Sequence, residues 1–310
     1  EPRGPDTVIG IIGGSGLYEM SGLTNTRWQL VRTPFGDPSD ELLLGELDSV
    51  PVAFLPRHGR GHRIPPTEIN FRANLDALKR VGVTDVISLS AVGSLREDLT
   101  PGTFVVVDQF IDRTFARVKS FFGTGLVAHV SMADPVCPRL AALAAQAGRA
   151  AGATVVEGGT YLAMEGPQFS SRAESELYRS WGCDVIGMTN MPEAKLAREA
   201  ELPYASIAMV TDYDCWRVGE APVEVGHILE VMHANTSRAR LLVEQLARAP
   251  ALIEGEGLTR PGQLQEGGRG GRRWRSCRGL GRHGLWLGFQ PLEPLADGLH
   301  LFVQLLQFLA

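Results

Sequence analysis

Cationic and hydroxyl side chains follow several apolar, strand-like runs of this chain. Arg57 and His58 come directly after one such run, and Ser90 and Thr189 stand at the ends of two others. A guanidinium offers a fixed fork of N–H donors and suits an anion the size of phosphate. Gly13-Gly14-Ser15-Gly16 follows the first run with exposed N–H groups and a hydroxyl, although a plain tight turn explains that stretch equally well.

Two better-known kinds of site do not fit these residues. The first loop is neither a dinucleotide fingerprint, because Glu19 replaces the third glycine, nor a Walker A loop, because Gly-Lys-Ser/Thr is missing. His58 and His62 are four positions apart, but the glycines between them argue against a helix and no acidic ligand is near. We therefore expect no metal site there.

Two carboxylates close the most apolar run. Asp212 and Asp214 flank Tyr213, and residues two apart on a strand point to the same side. Mutual repulsion raises the pKa of one of them and leaves it able to donate a proton. A metal site, a phosphatase-type nucleophile or a solvated loop are the alternatives, although Trp216 stands where that phosphatase motif has Thr or Val.

Strand-like and helical segments alternate over the part of the chain that must position these residues. Predicted strands are 7–13, 52–55, 85–90, 103–108, 154–156, 184–188 and 204–210, and predicted helices are 69–81, 138–151, 171–181, 192–200 and 223–246. Such alternation favours an α/β sandwich around a mixed sheet. In such sheets ligands bind at the carboxyl ends of the strands, where the polar residues stand.

The composition excludes several classes of protein. The 310 residues include 35 acidic and 30 basic ones, for a net charge of −5, so no overall positive field favours nucleic acid. We expect neither a membrane span nor a secretory signal, because every apolar run is interrupted and the N-terminus lacks the signal pattern. Four cysteines without a C-x-x-C pair indicate reduced thiols in a cytoplasmic protein.

The composition changes near residue 250. Glycine and arginine become frequent from 251 to 310, whereas 1–250 has the pattern of a folded domain. We expect the tail 251–310 to be atypical and disordered, with an RNA-binding tract as the weaker alternative.

Nine motifs occur in a fixed order between residues 7 and 248. They are IGIIGGSGL, TPFGDPSD, RHGRGH, NFRAN, SAVGSLRE, DQFIDRT, MEGPQFSSRAE, MTNMPEA and ASIAMVTDYDCW. Together they resemble the 5′-methylthioadenosine phosphorylase family of the trimeric purine nucleoside phosphorylase superfamily. The resemblance implies a single-domain, three-layer α/β sandwich around a mixed sheet, and a homotrimer with sites near the subunit interfaces. It also implies phosphorolysis of 5′-methylthioadenosine to adenine and 5-methylthioribose 1-phosphate, in purine and methionine salvage.

The resemblance further implies a role for individual residues. Phosphate would be bound by Ser15, Arg57, His58, Ser90, the backbone of Ala91, and Thr189. Met188 would lie under the ribose, Phe169 would stack on the purine with Ser170 beside it, and Asp212 and Asp214 would hold the N6/N7 edge. A neighbouring subunit would lend His129 to the 5′ side, and Val225, Ile228 and Leu229 would line the methylthio pocket.

The chemistry of glycosidic cleavage agrees with those roles. Cleavage leaves positive charge on the ribose and negative charge on the base, which a clamped phosphate and a proton-donating aspartate would stabilise. We therefore expect no metal or organic cofactor, with phosphate as co-substrate.

Base specificity follows from two positions. Ser170 and Asp212 stand where a 6-oxopurine phosphorylase of this superfamily would show Glu and Asn, and carboxylates match the amine of adenine. A 6-oxopurine or methylthioinosine phosphorylase is the alternative, and a non-catalytic nucleoside-binding protein a remoter one. Beyond about Pro250 the chain departs from the family's C-terminal stretch, which helps to close the 5′ pocket, so the 5′ preference stays open.

Overall fold

The computed structural model describes residues 7–14, 16–217 and 225–249, and for 225–229 it describes the backbone alone. The expectations for Ser15, for the side chains of Val225, Ile228 and Leu229, and for the tail 251–310 lie outside the described residues.

Strands and helices alternate along the described chain. The strands are β1 (Ile9–Gly13), β2 (Leu23–Gln29), β3 (Leu42–Leu47), β4 (Val50–Pro56), β5 (Asp85–Ser94), β6 (Thr103–Val107), β7 (Gln109–Arg113), β8 (Thr154–Glu157), β9 (Thr160–Met164), β10 (Val185–Gly187) and β11 (Tyr204–Tyr213). The helices are α1 (Phe71–Arg80), α2 (Pro138–Ala150), α3 (Arg172–Ser180), α4 (Asn190–Glu199) and α5 (Val225–Ala247), with a 3-10 turn at Pro66–Glu68.

The strands form one mixed sheet. Its order is β2-β3-β4-β1-β5-β10-β9-β7, and β11 also pairs with β5 and leads through β6 to β8. β1 is parallel to β4 and β5, and β5 is parallel to β11, so these four strands end at the same edge. β10 runs antiparallel to β5.

Alternation along the central strands places helices on both faces of the sheet. On β11, Ile207 and Met209 pack in a core with α2 and α5. The intervening Ala208 and Val210 pack in a second core with α1 and α4. Because successive side chains of a strand point to opposite faces, one apolar run supplies both cores. The three layers confirm the predicted α/β sandwich around a mixed sheet.

Two helices begin with side-chain caps that fix the loops before them. Asn70 accepts a hydrogen bond from the N–H of Ala73 at the start of α1. At the start of α3, Ser171 and Glu174 form a reciprocal capping box. The box lies directly after Phe169 and Ser170 and so fixes where their loop ends.

All of the predicted strands and helices are present, with ends shifted by a few residues. The sequence interpretation passed over β2, β3, β7 and β9. β2 and β7 stand at the two ends of the strand order and have no fully buried residue, so their sequences carry no continuous apolar run. β3 and β9 do follow turn residues, Gly36-Asp37-Pro38-Ser39-Asp40 and Gly158-Gly159, so these signals predict both strands and the interpretation did not use them.

Candidate active site

The carboxyl ends of β1, β4 and β5 meet around Arg57. The backbone N–H of Arg57 donates to Gly13 O at 2.9 Å, and Nη1 donates to Leu89 O at 3.0 Å. Because parallel strands end at one edge, the polar residues that follow them are held side by side. The structure thus brings Arg57, His58 and Ser90 together.

Thr189 joins this group through β10. The antiparallel register pairs Val185 with Ser94 and Ile186 with Gly93. Continued for three residues, the same register brings Thr189 to the level of Ser90. Both side chains are buried, and Ser90 Oγ and Thr189 Oγ1 have no hydrogen-bond partner among the described residues. Since an unpaired buried hydroxyl costs about 1–3 kcal/mol, the pair marks a place for a polar ligand.

A buried carboxylate holds the guanidinium of Arg57. Arg57 is only 2% exposed, and Glu193, at the start of α4, accepts from its Nε at 2.8 Å and from its Nη2 at 3.1 Å. Ser88 Oγ accepts from Nη2 at 2.6 Å and donates to Glu193 Oε1. One N–H of Nη1 has no acceptor among the described residues, so Arg57 is both fixed and able to donate to a ligand.

Glu193 also closes a wider polar network that sequence reasoning missed. Its Oε1 accepts from the hydroxyl of Tyr204, and Tyr204 accepts from the amide of Asn190. Asn190 in turn accepts from the hydroxyl of Ser206. The one signal for this network is Glu193 inside the motif MTNMPEA, at a position where a fully buried acid requires a cation.

His58 is a neutral ring in this environment. Its Nδ1 lies 2.8 Å from Ile64 O, and because a carbonyl can only accept, Nδ1 carries the proton. Burial lowers the pKa of His58 to about 4, with the charge of Arg57 acting in the same direction and Ile64 opposing it. At neutral pH the remaining nitrogen, Nε2, is therefore an acceptor. The ring stacks on His62 with 4.2 Å between centroids.

An opening lies over the middle of the sheet beside these groups. Ala91 is exposed although β5 is a central strand, and Ser90 and Val92 on either side of it are buried. Gly14, after the neighbouring strand β1, is also exposed, and a Cβ there would meet no atom within 4 Å. Gly14 and Ala91 therefore border accessible space.

The two aspartates follow a bulge in β11. Val210 pairs with Val92 but Asp212 pairs with Gly93, so Thr211 is the extra residue and Asp212 comes to the face of Ala91 and Gly93. Asp214 lies beside the same residue, Gly93, because a Cβ placed on Gly93 would be 3.5 Å from Asp214 Cβ.

Burial changes the acidity of both aspartates. It raises the pKa of Asp212 to about 6, with a hydrogen bond from the Thr211 hydroxyl opposing and the charge of Asp214 adding to the rise. Burial also raises the pKa of Asp214, and its Oδ2 has no hydrogen-bond partner among the described residues. The pair can therefore hold a proton closer to neutral pH than ordinary carboxylates do.

The loop after β9 connects the aspartates with Met188. Gly166 lacks a side chain where a Cβ would lie 2.5 Å from Met188 Sδ, so Met188 packs directly on this loop. Ser170 O accepts a hydrogen bond from Cys215 Sγ at 3.2 Å, which ties the loop to the residue after Asp214. Phe169 is 80% exposed, so one aromatic face is available to a flat ligand.

His129 belongs to a different part of the chain. It lies in the irregular segment between β7 and α2, and its side chain is exposed. Several apolar side chains of the same segment are exposed as well: Phe115, Val118, Leu126, Val127 and Val130.

Metal-binding clusters and membrane-spanning helices are both absent from the described part of the chain. No group of three or more His, Cys, Asp or Glu side chains there is placed to hold a metal ion. None of its helices combines the length and the hydropathy needed to cross a lipid bilayer.

The chain is similar to known proteins over most of its length. The family model of the Phosphorylase superfamily matches residues 8–248. S-methyl-5'-thioadenosine phosphorylase of Cereibacter sphaeroides is 65% identical over 240 residues, which cover 77% of this chain and 83% of the relative.

Solved structures agree as well. A methylthioadenosine phosphorylase from an antarctic soil metagenomic library is 50% identical, with a TM-score of 0.77 over 82% of this chain and 89% of its own. The Schistosoma mansoni enzyme, solved in complex with adenine, is 40% identical, with a TM-score of 0.73 over 78% of this chain and 91% of its own. The chain therefore belongs to the Phosphorylase superfamily and, within it, to the methylthioadenosine phosphorylases.

Proposed function

We propose that this chain catalyses the phosphate-dependent cleavage of 5′-methylthioadenosine to adenine and 5-methylthioribose 1-phosphate, a reaction of purine and methionine salvage. One observation carries the proposal beyond family membership. The buried, unpartnered hydroxyls of Ser90 and Thr189 stand next to the clamped guanidinium of Arg57, where an anion would satisfy all three. Phosphate has the charge and the several acceptor oxygens that this arrangement requires.

The residues at the phosphate end bind and orient the nucleophile. Arg57 donates a hydrogen bond to the phosphate through its remaining Nη1 N–H, and the hydroxyls of Ser90 and Thr189 donate hydrogen bonds to other phosphate oxygens. The N–H of Ala91 and the loop with Ser15 add donors from the two neighbouring strands, and His58 contacts a further oxygen. Holding the phosphate below C1′ of the ribose stabilises the positive charge that develops there.

The residues at the other end receive the leaving base. Phe169 stacks on the purine, and Met188 packs against the ribose. Asp212 or Asp214, each with a pKa that burial raises, donates a proton to N7 as the glycosidic bond breaks, while the other carboxylate accepts from the N6 amine. An ionised carboxylate repels the O6 carbonyl of hypoxanthine, so adenine nucleosides are preferred. Ser170 lines this end through its backbone contact with Cys215.

Assembly and the 5′ side form the remaining part of the proposal. The exposed apolar segment between β7 and α2 supports association into a homotrimer, in which His129 reaches a neighbour's 5′ side. Val225, Ile228 and Leu229 line the methylthio pocket. The reaction uses no metal or organic cofactor, the domain ends near residue 250, and the enzyme acts in the cytoplasm, where thiols such as Cys183 and Cys215 stay reduced.

Adenine release from 5′-methylthioadenosine, measured with and without phosphate, tests the proposal. Release should require phosphate and be faster than from adenosine, inosine or methylthioinosine. Hypoxanthine release from the inosine substrates in preference to adenine would contradict the assignment of the two aspartates. Absence of turnover by the full chain and by a chain ending near Pro250, despite adenine binding, would indicate a non-catalytic nucleoside-binding protein instead.

A further inference from the structure

A second arginine, Arg117, lies beside the site without facing it. It follows β7 in the chain, and its side chain is 1% exposed. Nε donates to Glu165 Oε1 at 3.0 Å. Nη1 donates to Met188 O at 2.6 Å and Met191 O at 2.7 Å, and Nη2 donates to Glu165 O at 2.7 Å and Met164 O at 3.3 Å. All five N–H donors of the guanidinium are used within the protein.

These acceptors belong to two stretches of backbone that hold opposite ends of the substrate. Met188 and Met191 flank Thr189, at the phosphate end, in a segment where Met191 has non-helical dihedrals, φ −118° and ψ 130°. Glu165 lies at the end of β9, just before the loop that carries Phe169, at the base end. A single planar side chain therefore links the two stretches just beyond Ala163 and Gly187, where β9 and β10 pair in parallel.

The pair of Arg117 and Glu165 is itself held in place. Glu165 Oε2 accepts from the N–H groups of Phe115 and Ala116, and Oε1 accepts from the Thr67 hydroxyl. These donors, with Arg117, outweigh the effect of burial and hold the pKa of Glu165 at about 2. The carboxylate is therefore ionised throughout the pH range in which the protein is handled, and the ion pair with Arg117 persists.

We propose that Arg117 is a positioning residue for phosphorolysis: it holds the Met188–Thr189 backbone and the Glu165 backbone at the separation that phosphate and nucleoside require. The inference rests on the proposed function. It also gives the segment 114–130, which bears the exposed Phe115 and Val118, a direct mechanical connection to the site.

The substitution Arg117→Lys tests this role, because lysine keeps the charge but cannot donate to four carbonyls in two directions. Arg139→Lys is the matched control. Arg139 pairs with the fully buried Asp85 at the far end of β5, away from the phosphate-binding end. Both variants should lose thermal stability, whereas only Arg117→Lys should raise KM for both phosphate and 5′-methylthioadenosine and lower kcat/KM, by about 10- to 100-fold.

Binding measurements separate the possible outcomes. Calorimetric titration should show that Arg117→Lys binds both adenine and phosphate more weakly than the unsubstituted chain, and that Arg139→Lys binds both with unchanged affinity. If the unsubstituted chain neither binds these ligands nor turns over, the proposed function fails. Suppose instead that the unsubstituted chain binds both ligands and turns over, and that Arg117→Lys, measured well below its own Tm, has the same affinities and KM values. Arg117 then has only a structural role and the inference is overturned.

Glu165→Gln provides a second variant in case Arg117→Lys does not fold. Its amide nitrogen cannot accept from Phe115 and Ala116, but its oxygen can still accept from Arg117. We expect the same joint rise of both KM values, smaller in size. A folded Glu165→Gln protein with unchanged KM values would overturn the inference as well.

Discussion

Glu193 holds the guanidinium of Arg57, a proposed phosphate ligand, through Nε–Oε2 and Nη2–Oε1 hydrogen bonds of 2.8 and 3.1 Å. The two residues are 136 positions apart in the chain, and both side chains are almost fully buried. The ion pair fixes the direction in which Arg57 presents its remaining donor. Arg57 therefore approaches its ligand as a rigid group and loses little rotamer freedom on binding.

Replacement of Glu193 by Gln should impair phosphate use more than nucleoside use. The amide leaves the buried charge of Arg57 without a counter-ion, so we expect a loss of about 3–5 kcal/mol in the free energy of unfolding. We also expect KM for phosphate to rise by about tenfold or more, because Arg57 is no longer held in place and its hydrogen bond to the phosphate is lost. Initial rates against each substrate, with thermal unfolding, measure both effects.

Glu157→Gln is the control for that experiment. Glu157 pairs with Arg149, and both side chains are about half exposed, so the exchange should cost about 0–1 kcal/mol and leave both KM values unchanged. Equal KM values for phosphate in Glu193→Gln and the unsubstituted chain would contradict the assigned role of the ion pair.

Removal of either unpartnered hydroxyl should weaken phosphate binding without lowering the stability of the ligand-free protein. Ser90→Ala and Thr189→Val delete buried groups that have no hydrogen-bond partner, so the ligand-free proteins should be as stable as the unsubstituted chain or slightly more so. Each variant should bind phosphate about 10- to 100-fold more weakly, because a hydrogen bond to an anion is worth about 1.5–3 kcal/mol. Thermal unfolding with and without phosphate tests this, and full retention of the phosphate-induced shift would refute it.

Catalysis should decline with rising pH through the titration of Asp212. We expect Asp212 to be the aspartate that acts as general acid, and because its pKa is raised to about 6, its protonated form is lost above that value. We expect kcat/KM for 5′-methylthioadenosine to fall by about tenfold per pH unit beyond it. Asp212→Asn should retain low activity without this decline.

The same titration should be visible in stability. A folded-state pKa above the unfolded-state value stabilises the protein at low pH, and the contribution is lost as pH rises through about 6. Asp212→Asn should therefore gain stability relative to the unsubstituted chain at pH 8 but not at pH 4. Parallel stability curves for the two proteins would show that Asp212 titrates normally.

Phosphate binding should take up protons through His58. In the ligand-free protein its Nε2 is an acceptor, because Nδ1 donates to Ile64 and burial holds the pKa at about 4. A bound phosphate must either protonate this nitrogen or arrive with an extra proton of its own. Calorimetry in two buffers of different ionisation enthalpy should reveal net proton uptake above neutral pH. His58→Gln should abolish it, and buffer-independent enthalpies would argue against contact between His58 and phosphate.

The sequence predicted the layers of the fold and the edge of the sheet that bears the site, because buried strands leave continuous apolar runs. Polar edge strands such as β2 leave no such pattern. The residues that support the site escaped prediction for a related reason. Glu193 and Arg117 act on groups far away in sequence, and only the folded chain shows that their charges are matched. The acceptor state of His58 likewise depends on the position of the Ile64 carbonyl.

The bulge at Thr211 has an evolutionary consequence. If β11 paired with β5 without the bulge and kept Thr211, Thr211 would lie opposite Gly93, and Asp212 would follow the alternation of Ala208 and Val210 and point into the core shared with α1 and α4. Loss of the bulge with all residues retained would therefore place Thr211 where the proposed base-contacting carboxylate of Asp212 stands, whereas deletion of Thr211 would leave Asp212 opposite Gly93. Within such a sheet, a change of nucleobase preference can arise from one shift of register, without any redesign of the surrounding helices.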